Sequence, residues 1–336
     1  VKNVTARTFA VLLFLAVASA FGQPNSPEMP MLGARLPATK FEVINRIPSS
    51  REKLLPKNLP VFRYSAKPHE FSSNGLQMLL DQSVFSGTNV TTLLHGQTNT
   101  ALLGEPARLA TTNNIDYFFV DPLGGAISVF RHGTGVDFRR ETPPFDAVPN
   151  FDSIRDDVLH YAAIFGVSTN EMERKDDGSI FLRKTDDKTV ARGGAVKFMS
   201  RRSVRVSRSA AGYPFLANDD KIEMAVGVNG RLLKFDLKWR TMEAVRTNRL
   251  FTIDQVLDNI KNGNVFAEEI NQYPSDGISQ ITIKDFRIFY YLPTLPNYRP
   301  VSTNADIVPI ASLYAVFKSK SGKTEEGSLY TPLVKP

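Results

Sequence analysis

The sequence contains no cysteine, one tryptophan and four histidines among 336 residues. The missing cysteine excludes disulfides, thiol nucleophiles and a lipoprotein anchor, so a packed core must supply the stability. Histidine is the usual source of metal ligands and general bases, and here each copy has an unpromising setting. His69-Glu70 opens like a zinc-protease helix motif, but the position four beyond His69 is Ser73, so the second ligand is missing. His95 and His132 each precede a glycine and read as turn residues, and His160 falls beside the buried face of a predicted helix.

Other catalytic vocabulary is absent as well. There is no Gly-x-Ser-x-Gly elbow. Gly322-Lys323-Thr324 resembles the end of a phosphate-binding loop, yet the glycine needed five places earlier is Phe317, and the segment reads as a hairpin turn. The doublets Asp156-Asp157, Asp176-Asp177, Asp186-Asp187 and Asp219-Asp220 lack the alternating oxygen ligands and distal glutamate of a calcium loop. No catalytic residue, metal ligand or cofactor is assigned. A hydrolase of envelope polymers or peptides, built from residues scattered along the chain, is the second reading.

Long apolar runs are missing too. The one candidate, residues 9–17, follows Lys2 and Arg7 and ends at Ala18-Ser19-Ala20, which predicts a secretory signal peptide over 1–20 rather than a membrane span. The expected compartment is periplasmic or secreted, with no transmembrane segment after cleavage. Losing Lys2 and Arg7 takes the formal charge from +7 to +5, too mild an excess for a nucleic-acid partner. With 42% hydrophobic and 22% charged residues the composition is that of a globular protein.

Residues 21–60 are proline-rich without periodicity and predict a flexible leader. An N-terminal α+β domain over 61–142 and a C-terminal one over 150–336 follow, divided by the proline-dense stretch 140–149. The most legible unit is 212–263. Ile222, Met224 and Val226 alternate with Lys221, Glu223 and Ala225, and beyond Asn229-Gly230 the alternation resumes in Leu233, Phe235, Leu237 and Trp239, a hairpin with one buried face. Thr252 and Gln255 then form a capping box, with Ile253, Val256, Leu257 and Ile260 on one helical face. Trp239, Gly230, Thr252 and Gln255 are structural residues. Further helices are predicted at Ser73 and, capped by Ser153, along Ile154, Val158, Tyr161, Ala162 and Phe165. Strands are predicted at 61–64, 115–120, 126–130, 180–182, 196–206, 278–291, 307–318 and 329–334, with a polar turn at 184–188. Helix followed by antiparallel strands recurs three times, so the fold class is α+β: antiparallel sheets each packed against one or two helices.

Two segments carry candidate binding residues. Arg201, Arg202, Arg205 and Arg208 make the densest positive patch, read as an exposed strand face able to dock an acidic partner. Tyr290, Tyr291, Tyr298 and Arg299 sit in a proline-rich stretch that predicts a stiff aromatic binding loop.

Gly212-Tyr-Pro-Phe215, the strand Lys221 to Val226, Asn229-Gly230, the second strand ending in Trp239 and the Thr-x-x-Gln helix resemble the C-terminal region of YycI-type extracytoplasmic regulators. More broadly they are similar to PepSY-related proteins, as is Ile307-Val-Pro309 with its following strand; the resemblance covers 212–334. It implies a non-enzymatic exported protein that acts by binding another protein; with the threefold order of helix and strands, the expectation is of repeated helix-plus-hairpin units and of a partner that is another extracytoplasmic protein or an envelope component. The chain departs from YycI-type members at its N-terminus, where they keep a membrane helix.

Overall fold

The computed structural model describes residues 34–36, 41–90, 106–113, 115–133, 143, 145–190, 196–216, 220–267, 277–291 and 305–334. The predicted signal peptide lies outside them. In chain order come strands β1 (Ala34–Arg35) and β2 (Glu42–Asn45), the helical turn α1 (Ser49–Glu52), β3 (Asn58–Tyr64), helix α2 (Ser73–Asp81), and strands β4 (Ala107–Ala110), β5 (Tyr117–Asp121) and β6 (Ala126–Phe130). Helix α3 (Phe151–Ile164) precedes β7 (Leu182–Val190), β8 (Val196–Ser207), β9 (Ser209–Ala210), β10 (Tyr213–Pro214), β11 (Lys221–Val226), β12 (Leu232–Lys238) and β13 (Met242–Arg249). Helix α4 (Ile253–Lys261), β14 (Phe266–Ala267), β15 (Ile278–Tyr291), β16 (Val308–Ser319) and β17 (Thr324–Pro332) complete the fold.

The architecture is mixed and mostly sheet, built of antiparallel sheets with few helices. Seven antiparallel strands in the order β4-β5-β6-β12-β11-β8-β7 form one sheet, and six in the order β1-β14-β17-β16-β15-β2 form the other. Both α2 and α3 pack on one face of the seven-stranded sheet, where Leu76, Leu79 and Leu80 meet Ile154, Val158 and Phe165 over Phe118, Val129, Val204 and Phe235. Gly75 lets the two helices close up: a Cβ there would lie 2.3 Å from Ile164 Cγ2 and 2.9 Å from Phe165 Cε1. Helix α4 covers the six-stranded sheet through Val256, Leu257 and Ile260, which join a separate core with Ile281, Ile283, Leu313 and Leu329. Among the described residues no helix is long and apolar enough to cross a membrane.

Between the sheets runs a two-stranded ribbon, β3 with β13. Its strands carry the chain out of the six-stranded sheet and back into it, and Ser65 N donates to Thr241 O at 2.8 Å where they part. The seven-stranded module is thus an insertion whose ends lie side by side.

Several expectations change. The 212–263 unit is not one packing unit: its hairpin lies in the seven-stranded sheet and its helix belongs to the other core, because β13 intervenes and pairs with β3. The local motifs themselves form as read. Asn229 and Gly230 take φ of 57° and 73° in the turn, and Thr252 and Gln255 make both hydrogen bonds of the capping box. The division at 140–149 does not separate two sheets, since β6 pairs with β12 over five residues each. Of the predicted leader, β2 pairs in parallel with β15 and α1 packs nearby, Arg51 bonding Asp285 and the Phe286 carbonyl at 2.9 and 3.0 Å. The third helix starts two residues before the predicted cap, because Asn150 and not Ser153 is the capping residue, its side chain accepting from the Ser153 amide at 2.9 Å. Residues 184–188 are the middle of edge strand β7, whose exposed faces need no apolar alternation.

Candidate functional site

Alternation along β8 splits the arginine patch. Val204 and Val206 face the helices, so Arg202 and Arg208 share their side, while Arg201 and Arg205 take the opposite face. Arg201 binds Asp187 of β7 through Nε at 2.6 Å and Nη2 at 2.5 Å. Arg202 donates to the carbonyls of Val148 and Pro149 at 2.7 and 3.0 Å and lies over the Phe151 ring. Arg205 sits opposite Arg183, and both flank Glu173, whose carboxyl is pushed up by burial against the pull of these two cations. Arg208 is 1% exposed. The four do not form one docking patch, because a period of two puts neighbours on opposite faces.

The predicted aromatic loop fares similarly. Tyr290 and Tyr291 are fully buried ends of β15, not surface anchors. Tyr290 donates to the Pro60 carbonyl at 2.8 Å, packs edge-on to Phe62, and has its hydroxyl pKa pushed up by burial and then by Tyr213. With Tyr64, Ala210 and Ile307 it forms the apolar joint between ribbon and sheets. Tyr298 and Arg299 lie outside the described residues.

The densest polar constellation is one that sequence reading missed as a group. Arg208 Nη1 donates to Asp220 Oδ2 at 3.1 Å and to the Arg240 carbonyl at 2.5 Å, and Nη2 donates to Glu171 Oε2 at 2.6 Å. Tyr64 donates to the same Asp220 oxygen at 2.7 Å, and Trp239 Nε1 donates to Glu171 at 2.9 Å. The Arg208 guanidinium lies 5.1 Å from the Trp239 ring and that of Arg240 lies 4.5 Å from the Tyr64 ring. Burial, then the charge of Asp220, pushes the Tyr64 hydroxyl pKa well up. Gly125 completes the packing: at φ +57° it abuts Arg240 so tightly that a Cβ would lie 2.8 Å from the backbone nitrogen. Apart from the buried Nε atoms of Arg208 and Arg240, which have no hydrogen-bond partner, the donors and acceptors named above bond to one another across five chain segments, which makes this a clamp at the root of the ribbon rather than a reactive centre.

The exposed feature of the inserted module is the other face of its sheet. Neither α2 nor α3 covers it, and cross-strand register places Arg108, Phe119, Ser128, Asp236, Glu223, Arg205 and Arg183 in one row across all seven strands. Its centre is an ion network: Lys234 lies 3.1 Å from both Glu223 and Asp236, Lys221 lies 3.4 Å from Glu223, and Ser128 hydrogen-bonds Asp236. At the β4–β6 end the face is aromatic. Tyr117 stacks on Phe130 with 5.7 Å between centroids, Arg108 lies 5.4 Å from the Tyr117 ring, and Phe119 stands in the next row, half-buried like the other two rings. Burial, followed by Asp236, raises the Tyr117 hydroxyl pKa. The available signal was an apolar residue at every position of Tyr117-Phe-Phe-Val120, where one-sided burial would demand polar alternates.

The described histidines stand apart. His69 Nε2 pairs with the Phe165 carbonyl at 3.0 Å, the His132 amide donates to Asp116, and His160 is exposed on α3. His95 lies outside the described residues. Among the described residues no group of three or more His, Asp or Glu side chains could hold a metal ion. No protein-family model matches the chain, and no curated protein matches it.

Proposed function

We propose that this is an exported, non-enzymatic binding protein whose inserted module presents the aromatic end of its open sheet face to another extracytoplasmic protein or an envelope component. The observation that carries the reading is the cluster of Tyr117, Phe119, Phe130 and Arg108 on a face that α2 and α3 leave uncovered. Large aromatic and arginine side chains are the residues enriched at protein interfaces, and half-buried rings present apolar area at low ordering cost. The central charges already neutralise one another, so the aromatic end is where added burial stabilises a complex most. The resemblance of 212–334 to YycI-type and PepSY-related regulators points to the same mode of action. Repetition of PepSY-like units is part of this proposal, and failure of the first unit, α2–β6, to superpose on the last, α4–β17, would remove that part.

The test is capture from the protein's own cell envelope with wild-type chain and with a Tyr117→Ser, Phe119→Ser, Arg108→Ser variant, each shown folded by circular dichroism. A partner retained by the wild type and lost by the variant is expected. Equal capture by both would place binding elsewhere.

A further inference from the structure

Strand β7 is one edge of the seven-stranded sheet: β8 pairs with it on one side, and no described strand pairs with the other. It is nine residues long, against four for β4 at the opposite edge. Long open edges are usually blunted by charged side chains, proline or a bulge. The β7–β8 register shifts between Asp187 and Lys188, and the charges that lead up to that shift are arranged with mirror order. Arg183 and Lys184 precede Thr185, and Asp186 and Asp187 follow it.

We infer that β7 is a self-pairing edge, through which a second copy of this chain adds antiparallel about a two-fold axis at Thr185. In that register Arg183 faces Asp187 of the second copy on the open side of the sheet, Lys184 faces Asp186 of the second copy on the helix side, and Thr185 faces its own counterpart. The two-fold doubles each pair. Neighbouring registers fail: an axis on Asp186 sets that carboxylate against its own copy and Lys184 against Lys188, and an axis between Thr185 and Asp186 sets Arg183 against Lys188.

The present partners of these charges leave room for the pairing. Asp187 binds Arg201, Asp186 binds Lys188 at 3.1 Å, Lys184 lies 5.4 Å from the Phe151 ring and 3.9 Å from Asp152, and Arg183 flanks Glu173, with side chains 35% to 45% exposed in the first two pairs. A guanidinium from the second copy would complete an Arg201–Asp187–Arg183 ladder rather than displace one. The isologous pairing also closes on itself, whereas β7 joining β4 of another copy would propagate without end.

Sedimentation velocity across a dilution series tests this, with Arg183→Glu/Lys184→Glu and Asp186→Lys/Asp187→Lys as the variants. The wild type should dimerise reversibly, and each variant alone should raise the dissociation constant more than about tenfold. Mixing the two variants should restore a dimer containing one of each. A wild type that stays monomeric throughout, or variants that dimerise as it does, would overturn the inference. Hydrogen exchange of the unaltered chain gives a second reading independent of variant folding: amides of 182–188 should lose protection on dilution. Protection unchanged with concentration would also overturn it.

Discussion

Replacing Arg208 by Met tests whether the ribbon root is held by charge. The methionine keeps much of the apolar stem but removes every guanidinium donor. Arg208 and Asp220 are 1% and 2% exposed, so the variant leaves a buried carboxylate with its hydrogen bond from Tyr64 but without the cation bonded to it. Breaking a buried pair from one side costs about 3–5 kcal/mol. The Glu171 contact adds little, because that carboxylate is 43% exposed and water replaces the lost donor. Adding Asp220→Asn removes the stranded charge, so the double variant should recover about 1–2 kcal/mol of the loss. Urea unfolding followed by circular dichroism and by fluorescence of Trp239, the single tryptophan, reads both values. A single-variant cost below about 1 kcal/mol, or a double variant as unstable as the sum of the singles, would refute the clamp.

Trp239→Ala should cost about 3–5 kcal/mol, since the ring lies in the helix-covered core, whereas Trp239→Phe, which gives up mainly the bond to Glu171, should cost about 1 kcal/mol; denaturant midpoints distinguish them. Burial pushes the Asp306 carboxyl up, but hydrogen bonds from Arg63 and Arg246 outweigh it and hold the pKa below the ordinary range. A depressed carboxyl stabilises above its unfolded pKa and loses that as pH falls through the folded one. Asp306→Asn should therefore lower the melting temperature at pH 7 and make no difference in strong acid. Glu173 has the opposite sign: its raised pKa gives stability below the unfolded value that is lost as pH rises, so Glu173→Gln should melt higher than wild type at pH 7 and alike below about pH 4. Residues 65–241, expressed alone, should unfold cooperatively, because the core under their helices uses only their own side chains; a noncooperative melt by calorimetry would contradict the insertion.

Local structure was legible wherever one face is buried and the other wet. The β11–β12 hairpin, β15 and α4 follow from period two or 3.6 and from side chains that cap or turn within four residues. What escaped reading has no such asymmetry. Strand β13 and its partner β3 make a ribbon open to solvent on much of its surface, so Met242–Arg249 carries no apolar alternation, and β7 reads as a polar turn for the same reason. Burial of Tyr290 and Tyr291 was hidden because nearby prolines suggested a loop, while the residues that cover them, Phe62, Phe215 and Ile310, are distant in sequence. Arg208 was read by its charge, and only its tertiary partners, as far off as Glu171 and Arg240, explain its burial.

Proline density at 140–149 signals irregular backbone, which is not the same as an absence of contacts. Val148 is buried, and the carbonyls of Val148 and Pro149 receive Arg202, so the end of the stretch at Val148 and Pro149 is packed against the seven-stranded sheet. The segments that do pass between the two cores, β3 and β13, are regular, paired strands. Their root is where the clamp sits: Tyr64 ends one strand, Arg240 precedes the other, and Arg208, Asp220 and Glu171 tie both to the inserted sheet. The open aromatic face and the β7 edge both belong to that insert. A ribbon alone would leave their direction relative to the six-stranded sheet free to twist. The buried ion pair and the Phe215–Tyr290 bridge fix it at two separate points, so the polar groups taken out of water at Arg208 serve orientation as much as stability.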